Sequence, residues 1–411
     1  MRYNTFSSLK NRNFRLFFIG QSISLMGTWM QKTAVSWVVY TLTQSKFMLG
    51  VSVFATLFPT ALISLYGGIV ADRYSRYKVL LLTQIVSLLQ AVLLTLAIVF
   101  LKQFSVWIII ILSGVLGIIN GFDMPARQSL IRDLIVDKTN LPNALALNSS
   151  MVNLAKLIGP AIAGFVLEKY SDVACFSINA ISFIPVIFSL LLMKLPKITL
   201  PLKVNNNFKK EFCEAISYIK NTPEISSVII FVGVMSLFVL PFTTLTPVFA
   251  KDVFHGSAST LGIIDGAIGL GALIGALFLA SLKRGVNLSR VLAINTMALG
   301  FGLVFFSQIL IFPLAMLFII IGAFGMMSLR TISNTIVQVN VPNKLRGRVV
   351  SIYFMSFTML IPIGSLLIGV ISHYIGVQIT ILVEGLIALI VTCLYIKYLK
   401  REKLKELEQY K

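Results

Sequence analysis

Four ionisable residues within otherwise apolar stretches are candidates for chemistry: Lys32, Lys156, Asp265 and Glu384. A charge in hydrocarbon is costly and is tolerated where it faces a watery cavity or an opposite charge. The chemistry open to such groups is ion pairing and proton exchange, because each partner's proton affinity depends on the other's presence. Lys156 lies about thirteen residues beyond the start of its apolar run, roughly 20 Å at the helical rise. Asp265 enters its run from the opposite end, about eight residues or roughly 12 Å in, which leaves it roughly 18 Å from the first surface of a layer about 30 Å thick. The depths agree and predict a Lys156–Asp265 contact, either static or made and broken between states. Lys32 closes a polar row, Gln21, Ser24, Thr28 and Gln31 or Lys32, whose spacing puts it on one helix face. That face is expected to look into a cavity, although Lys32 can equally snorkel to the outer surface. Asn153, on the same run as Lys156, joins this candidate pathway. Glu384 is expected to be a structural or lipid-interface acid.

Other chemistries are not supported. Cys175, Cys213 and Cys393 are scattered, with neither disulfide nor metal spacing, and His255 and His373 have no acidic or cysteine cluster around them. There is no P-loop, nucleophile elbow or zinc-protease pattern. No metal, no cofactor and no enzymatic activity are expected.

The elements that carry these residues follow from composition. Hydrophobic residues make up 57% of the 411 positions and charged ones only 12%, too greasy a balance for a soluble chain. Twelve apolar runs are long enough to span a bilayer as helices: 14–40, 47–70, 79–101, 105–123, 144–167, 173–194, 226–249, 257–281, 288–310, 312–333, 348–371 and 376–397. The first is too long and too polar for a cleavable signal, so no cleavage is expected. Arg2, Lys10, Arg12, Arg15, Arg73, Arg76, Lys78, Arg127, Arg132, Lys138, Lys283, Arg284, Arg290, Lys344, Arg346 and Arg348 fall in one set of loops, against Lys46, Lys102, Lys169 and Lys251 in the other. The positive-inside rule then puts both termini in the cytoplasm. It accounts for the net charge of +20 through an anionic membrane surface, with no nucleic-acid partner.

The one long polar segment divides the chain into an N-terminal half, 1–194, a cytoplasmic linker, 195–225, and a C-terminal half, 226–411, ending in a basic tail. Within the linker, Phe208 to Lys220 predicts a short surface helix with Phe212, Ile216 and Ile219 on one side. Shifting the chain by 204 positions lays Gly121 on Gly325 and Leu141 on Leu345, with matching hydropathy around them. Two six-helix halves related by a parallel repeat are one transporter architecture, with the substrate held between them.

The stretch GGIVADRYSRYK resembles the loop signature between the second and third helices of major facilitator superfamily transporters: Gly68, Ala71, Asp72, Arg73 and Arg76 fit, while Ser75 replaces a glycine. The run ALALNSSMVNLAKLIGPAIAGF is similar to the fifth-helix motif of drug–proton antiporters, keeping Gly159, Pro160 and Gly164. GTWMQKTAVSWVVY, FDMPARQSLIRDL and PNKLRGRVVSIY together resemble the twelve-helix subgroup of enterobactin-type siderophore exporters and macrolide efflux proteins. The fourth-helix arginine usual in that family is missing between Trp107 and Ile119. The resemblance implies an all-α membrane protein with twelve transmembrane helices in two pseudo-symmetric six-helix bundles. It also implies a latch in which Asp72 caps the eleventh helix near Arg346–Val350 and pairs with Arg76 and with Asp123.

The function expected is export of a small organic molecule, a siderophore or an amphipathic drug, by alternating access against proton entry. The setting is the cytoplasmic membrane of a bacterium, and the protein is expected to be a monomer in its lipid bilayer. An importer or a lysophospholipid-moving relative is the alternative. If the cargo carries catecholate or carboxylate groups, Lys32 and Lys156 are its natural counter-charges.

Overall fold

A computed structural model describes residues 6–101, 105–135, 137–194, 208–283 and 285–409. Lys102, Arg284 and the linker residues 195–207 of the sequence analysis lie outside them, as do Arg2 and the side chains of Phe212, Lys138 and Lys344. The helices are α1 Arg12–Thr43, α2 Lys46–Arg73, α3 Arg76–Phe100, α4 Ser105–Leu134, α5 Leu141–Lys169, α6 Asp172–Leu191, α7 Phe208–Asn221, α8 Pro223–Phe238, α9 Thr246–Val248, α10 Ala258–Ala280, α11 Leu288–Gln308, α12 Phe312–Asn340, α13 Asn343–Ile375 and α14 Val377–Gln409. Among the described residues, eleven spans are long and apolar enough to cross a membrane. The twelfth expected span is α1, 32 residues long, whose apolar character is diluted by Gln21, Ser24, Thr28, Gln31, Lys32 and Thr33.

Several spans run further than hydropathy suggested. α4 continues through FDMPARQSLIRDL to Leu134, α12 to Asn340 and α14 to Gln409, because a helix keeps its hydrogen bonds after its side chains turn polar. The seventh span is not one helix. After Phe238 it tightens to a 3-10 stretch, Leu240–Leu245, passes through α9 and widens to a π turn, Phe249–Val253. Pro241 and Pro247 each remove a backbone donor there.

The chain forms two compact units, one of residues 1–203 and 246–266, the other of 204–245 and 267–411. In the first, α1 packs on α5 and α6, α2 on α4, and α3 on α4 and α6. In the second, α11 packs on α12 and α14, and α13 on α8. The linker helix α7 is held there by the Arg348–Glu214 ion pair, 3.2 Å, and by Tyr218 donating to the Asn340 carbonyl.

The polar row of α1 is mostly buried, which corrects the expectation that it faces a cavity. Gln21 and Gln31 are 1% and 2% exposed. The Gln31 Oε1 accepts from Asn179 Nδ2 on α6 at 2.5 Å, and its Nε2 donates to Gln90 on α3 at 3.5 Å. Ser24 donates to Gln84, also on α3. Such pairs bind helices together where no water competes. Only Thr28 and Lys32 of the row keep accessible surface, and Thr28 bonds back to the Ser24 carbonyl.

Replacing Asn179 by Leu therefore leaves Gln31 without its best partner and should cost about 1 kcal/mol of stability. The readout is the thermal midpoint of the purified protein. The double variant Gln31→Leu/Asn179→Leu should lose less than the two single losses added, and strict additivity would mean that the pair does not act as a unit.

Candidate functional site

The first unit gathers the intramembrane charges around one indole ring. Trp29 stands on α1 between the helix's two packed faces, in a small apolar cluster with Leu25, Met151 and Ala155. The ammonium groups of Lys32 and Lys156 both lie over its ring, 4.7 and 5.4 Å from the centroid. This is the cation–π arrangement that a positive group adopts on an aromatic face. Two like charges on one ring leave the place electropositive. Lys32 keeps accessible surface; Lys156 and Asn153 are half-buried.

Asp265 completes the cluster. Its Oδ1 accepts from Thr246 Oγ1 at 3.0 Å and its Oδ2 from Thr33 Oγ1 at 3.2 Å. Lys32 is near enough for its charge to act on the carboxylate. Helix depth alone pointed to Lys156 as the partner of Asp265. The groups it missed are the two threonines and Lys32, because depth says nothing of which residues a broken span delivers. Thr246 comes from the segment between Pro241 and Pro247, which no helical periodicity can place. Thr33, next to Lys32, was the one legible signal.

Close backbone approach makes the cluster possible. A Cβ on Gly159 would fall 2.7 Å from the Trp29 Cβ, so only glycine lets α5 lie against α1 at that point. A Cβ on Gly164 would fall 2.6 Å from the Ala258 carbonyl, and one on Gly262 would fall 2.7 Å from the carbonyl of Pro160. Gly159 thus sets the approach of α5 to α1, and Pro160 and Gly164 its crossing with the start of α10, one turn from Asp265. Two further ties join the same elements. The Tyr40 hydroxyl donates to Asp252, with Lys251 over the Tyr40 ring at 5.9 Å. Glu168 accepts from Ser257 Oγ at 2.6 Å and from the Ser259 N–H at 3.3 Å.

At the other end of the unit the expected charge cluster has a different membership. Arg76 meets Asp133, its Nη1 lying 2.7 and 2.9 Å from the two carboxylate oxygens. Asp72, three-quarters exposed, is only 3.9 Å from the guanidinium, and Arg73 is exposed. Asp123, the partner expected for this cluster, is buried deeper, where Thr83 and Gln84 donate to it at 3.0 and 2.7 Å and Arg127 lies 3.5 Å away. The correction follows from the length of α4: Asp133 stands ten residues, about 15 Å, further along than Asp123. The close glycine contact of the loop signature belongs to Gly67, whose Cβ would lie 3.1 Å from the Phe122 Cα; Gly68 has open space.

Glu384 is 2% exposed in the second unit, and neither carboxylate oxygen has a hydrogen-bond partner among the described residues. A lipid-interface position is therefore excluded. His255, Cys175, Cys213 and the other candidate ligands form no group of three able to hold a metal among the described residues.

Long helices enclosing a few buried charges, in a chain whose two halves repeat, define a membrane transporter of the major facilitator superfamily. The chain belongs to the family described as transmembrane secretion effector, whose profile matches residues 3–410. It is 28% identical to the staphyloferrin A transporter of Staphylococcus aureus over 95% of this chain and 97% of that one. It is 22% identical to macrolide efflux protein A of Streptococcus pyogenes (96% and 100% covered) and 24% identical to the enterobactin exporter EntS of Citrobacter koseri (87% and 84%). Solved structures of the same fold include a bacterial homologue of the human lysosomal transporter Spinster, with a TM-score of 0.72 at 13% identity over 94% of this chain and 96% of that one. The nucleoside transporter NupG gives 0.74 at 15% identity, over 94% and 99%.

The exposures of the charge cluster make a graded prediction. Asp133→Asn removes a half-buried bidentate partner and should lower the thermal midpoint by the equivalent of about 1.5–3 kcal/mol. Asp72→Asn, at an exposed and loose contact, should change it by under about 0.5 kcal/mol. Equal losses would contradict this assignment of the pair.

Proposed function

We propose that the protein exports a small organic anion, with the siderophore class favoured over cationic drugs, from the cytoplasm by alternating access coupled to proton entry. The observation that carries this reading is the pair of ammonium groups on the Trp29 ring. A cargo with negative groups and a flat body finds two counter-charges and a stacking surface there. A cationic drug at the same place meets repulsion from both lysines.

Coupling follows from the position of Lys32, which faces both Trp29 and Asp265. A cargo carboxylate competes with Asp265 for the Lys32 ammonium, so the cargo and the proton act on the same groups. The proton is taken up at Asp265 on the outer side after the cargo has left, and is given up on the inner side before the next cargo binds. The threonines at 33 and 246 hold the carboxylate in position meanwhile. The halves 1–194 and 226–411 act as the two moving bundles, joined by the 195–225 linker, with both termini on the cytoplasmic side of a bacterial inner membrane. The Asp72, Arg73 and Arg76 loop serves as a latch. The names of the relatives, two siderophore transporters and a macrolide efflux protein, support efflux as the direction.

The test uses inside-out vesicles from cells expressing the full chain, energised to acidify the lumen. Labelled catecholate and hydroxycarboxylate siderophores should accumulate, and the Lys32→Gln and Lys156→Gln variants should each reduce initial uptake by about tenfold or more, the scale of one charge-assisted contact. Uptake of a lipophilic cation to the same level by wild type and both variants, with no siderophore uptake, would overturn the anion reading. Accumulation only in right-side-out vesicles would reverse the direction.

A further inference from the structure

The second unit contains a guanidinium that the fold leaves unneutralised. Arg330 lies on α12, ten residues before its end, within a span apolar enough to cross the membrane. Its guanidinium carbon sits 4.6 Å from the centroid of the Phe357 ring on α13. Phe357 is 6% exposed and Tyr353, one turn earlier, is 1% exposed, so the aromatic surface is fixed by packing. The Tyr353 hydroxyl donates to the Arg330 carbonyl at 2.9 Å and ties α12 to α13 at this height.

Arg76 is paired with Asp133, Arg127 with Asp123 and Arg348 with Glu214. Among the described residues, no carboxylate or hydrogen-bond acceptor meets the Arg330 guanidinium, and the residue keeps accessible surface. A guanidinium at membrane depth is expensive, and stacking on one phenyl ring returns only a small part of that cost. Its planar fork is the group best shaped to take an oxyanion through two parallel hydrogen bonds, and the ring beneath leaves that edge free.

We propose that Arg330, seated on Phe357, is an oxyanion subsite in the second unit, additional to the Lys32–Trp29–Lys156 site. The ligand chemistry is a carboxylate or phosphate bound edge-on to the guanidinium. Its source is either an acidic group of the cargo or the headgroup of an anionic lipid. The cargo arm rests on the anionic-cargo reading above; the subsite itself does not.

Arginine labelling reads the subsite directly on the wild-type chain. The full-length protein is reconstituted in nanodiscs of phosphatidylcholine and treated with phenylglyoxal, and modification of Arg330 is followed by mass spectrometry. Arg330 should be modified readily. Citrate, used as a carboxylate probe, should slow its modification by about tenfold, the effect of one charge-assisted pair. Equal slowing in discs containing phosphatidylglycerol without citrate assigns the lipid as the source. Protection by citrate alone assigns the cargo class. Arg348, already paired with Glu214, serves as the internal control and should not respond. The Lys32→Gln/Lys156→Gln variant should keep the protection at Arg330. Loss of siderophore uptake with protection intact is the expected pattern, whereas retained uptake with protection intact would refute the main site and leave this one standing. Failure of both citrate and phosphatidylglycerol to protect Arg330, or its inertness to the reagent without them, would overturn the proposal.

Discussion

A carboxylate set inside a membrane protein must be met by donors and positive charge, because no water or bulk ion is there to do it. Asp265 is met from two parts of the first unit: by Thr33 on α1, with Lys32 beside it near enough for its charge to act, and by Thr246 from the broken seventh span. Much of the surrounding architecture can be understood as what brings those groups together. The two prolines that break the span allow it to turn Thr246 toward Asp265. The glycines at 159, 164 and 262 remove the side chains that would otherwise hold α5 away from Trp29 and from α10. Two turns along α1 from Thr33, Tyr40 reaches Asp252 on the same segment, so α1 and the broken span are tied at two heights about 10 Å apart.

Two other carboxylates of the first unit obey the same constraint with a different outcome, unlike Glu384, whose oxygens have no hydrogen-bond partner among the described residues. Asp133 and Arg76 neutralise each other at the end of α4, and Asp123 is satisfied deeper in by a threonine, a glutamine and Arg127. These are closed arrangements, with little left to offer a ligand. The Lys32–Trp29–Lys156 cluster differs in that two positive groups share one aromatic ring and one of them is also near a carboxylate.

Much of this was legible in the sequence. Apolar run lengths located the spans, and the intramembrane ionisable residues were visible because hydrocarbon makes them rare. Three features were not legible, each for a physical reason. The polar row of α1 resembled a cavity lining, but Gln31 and Asn179 satisfy each other between helices, and periodicity does not distinguish polar glue from a polar wall. Asp123 was taken for Asp133 because hydropathy ends α4 where its polar residues begin, while its backbone hydrogen bonds continue to Leu134. Thr246 was missed because a span broken by proline loses the regular spacing from which facing residues are inferred.

The central claim is that Asp265, through its exchange of partners with Lys32, links cargo movement to proton movement. Proteoliposomes holding the full chain, loaded with unlabelled siderophore, measure it most directly by comparing downhill exchange of labelled cargo with uphill accumulation driven by an imposed pH gradient. Asp265→Asn should keep exchange within about a factor of ten of wild type and lose gradient-driven accumulation, since an amide accepts from one threonine and donates to the hydroxyl of the other but carries no exchangeable charge. Accumulation by Asp265→Asn that follows the pH gradient as steeply as wild type would contradict the account.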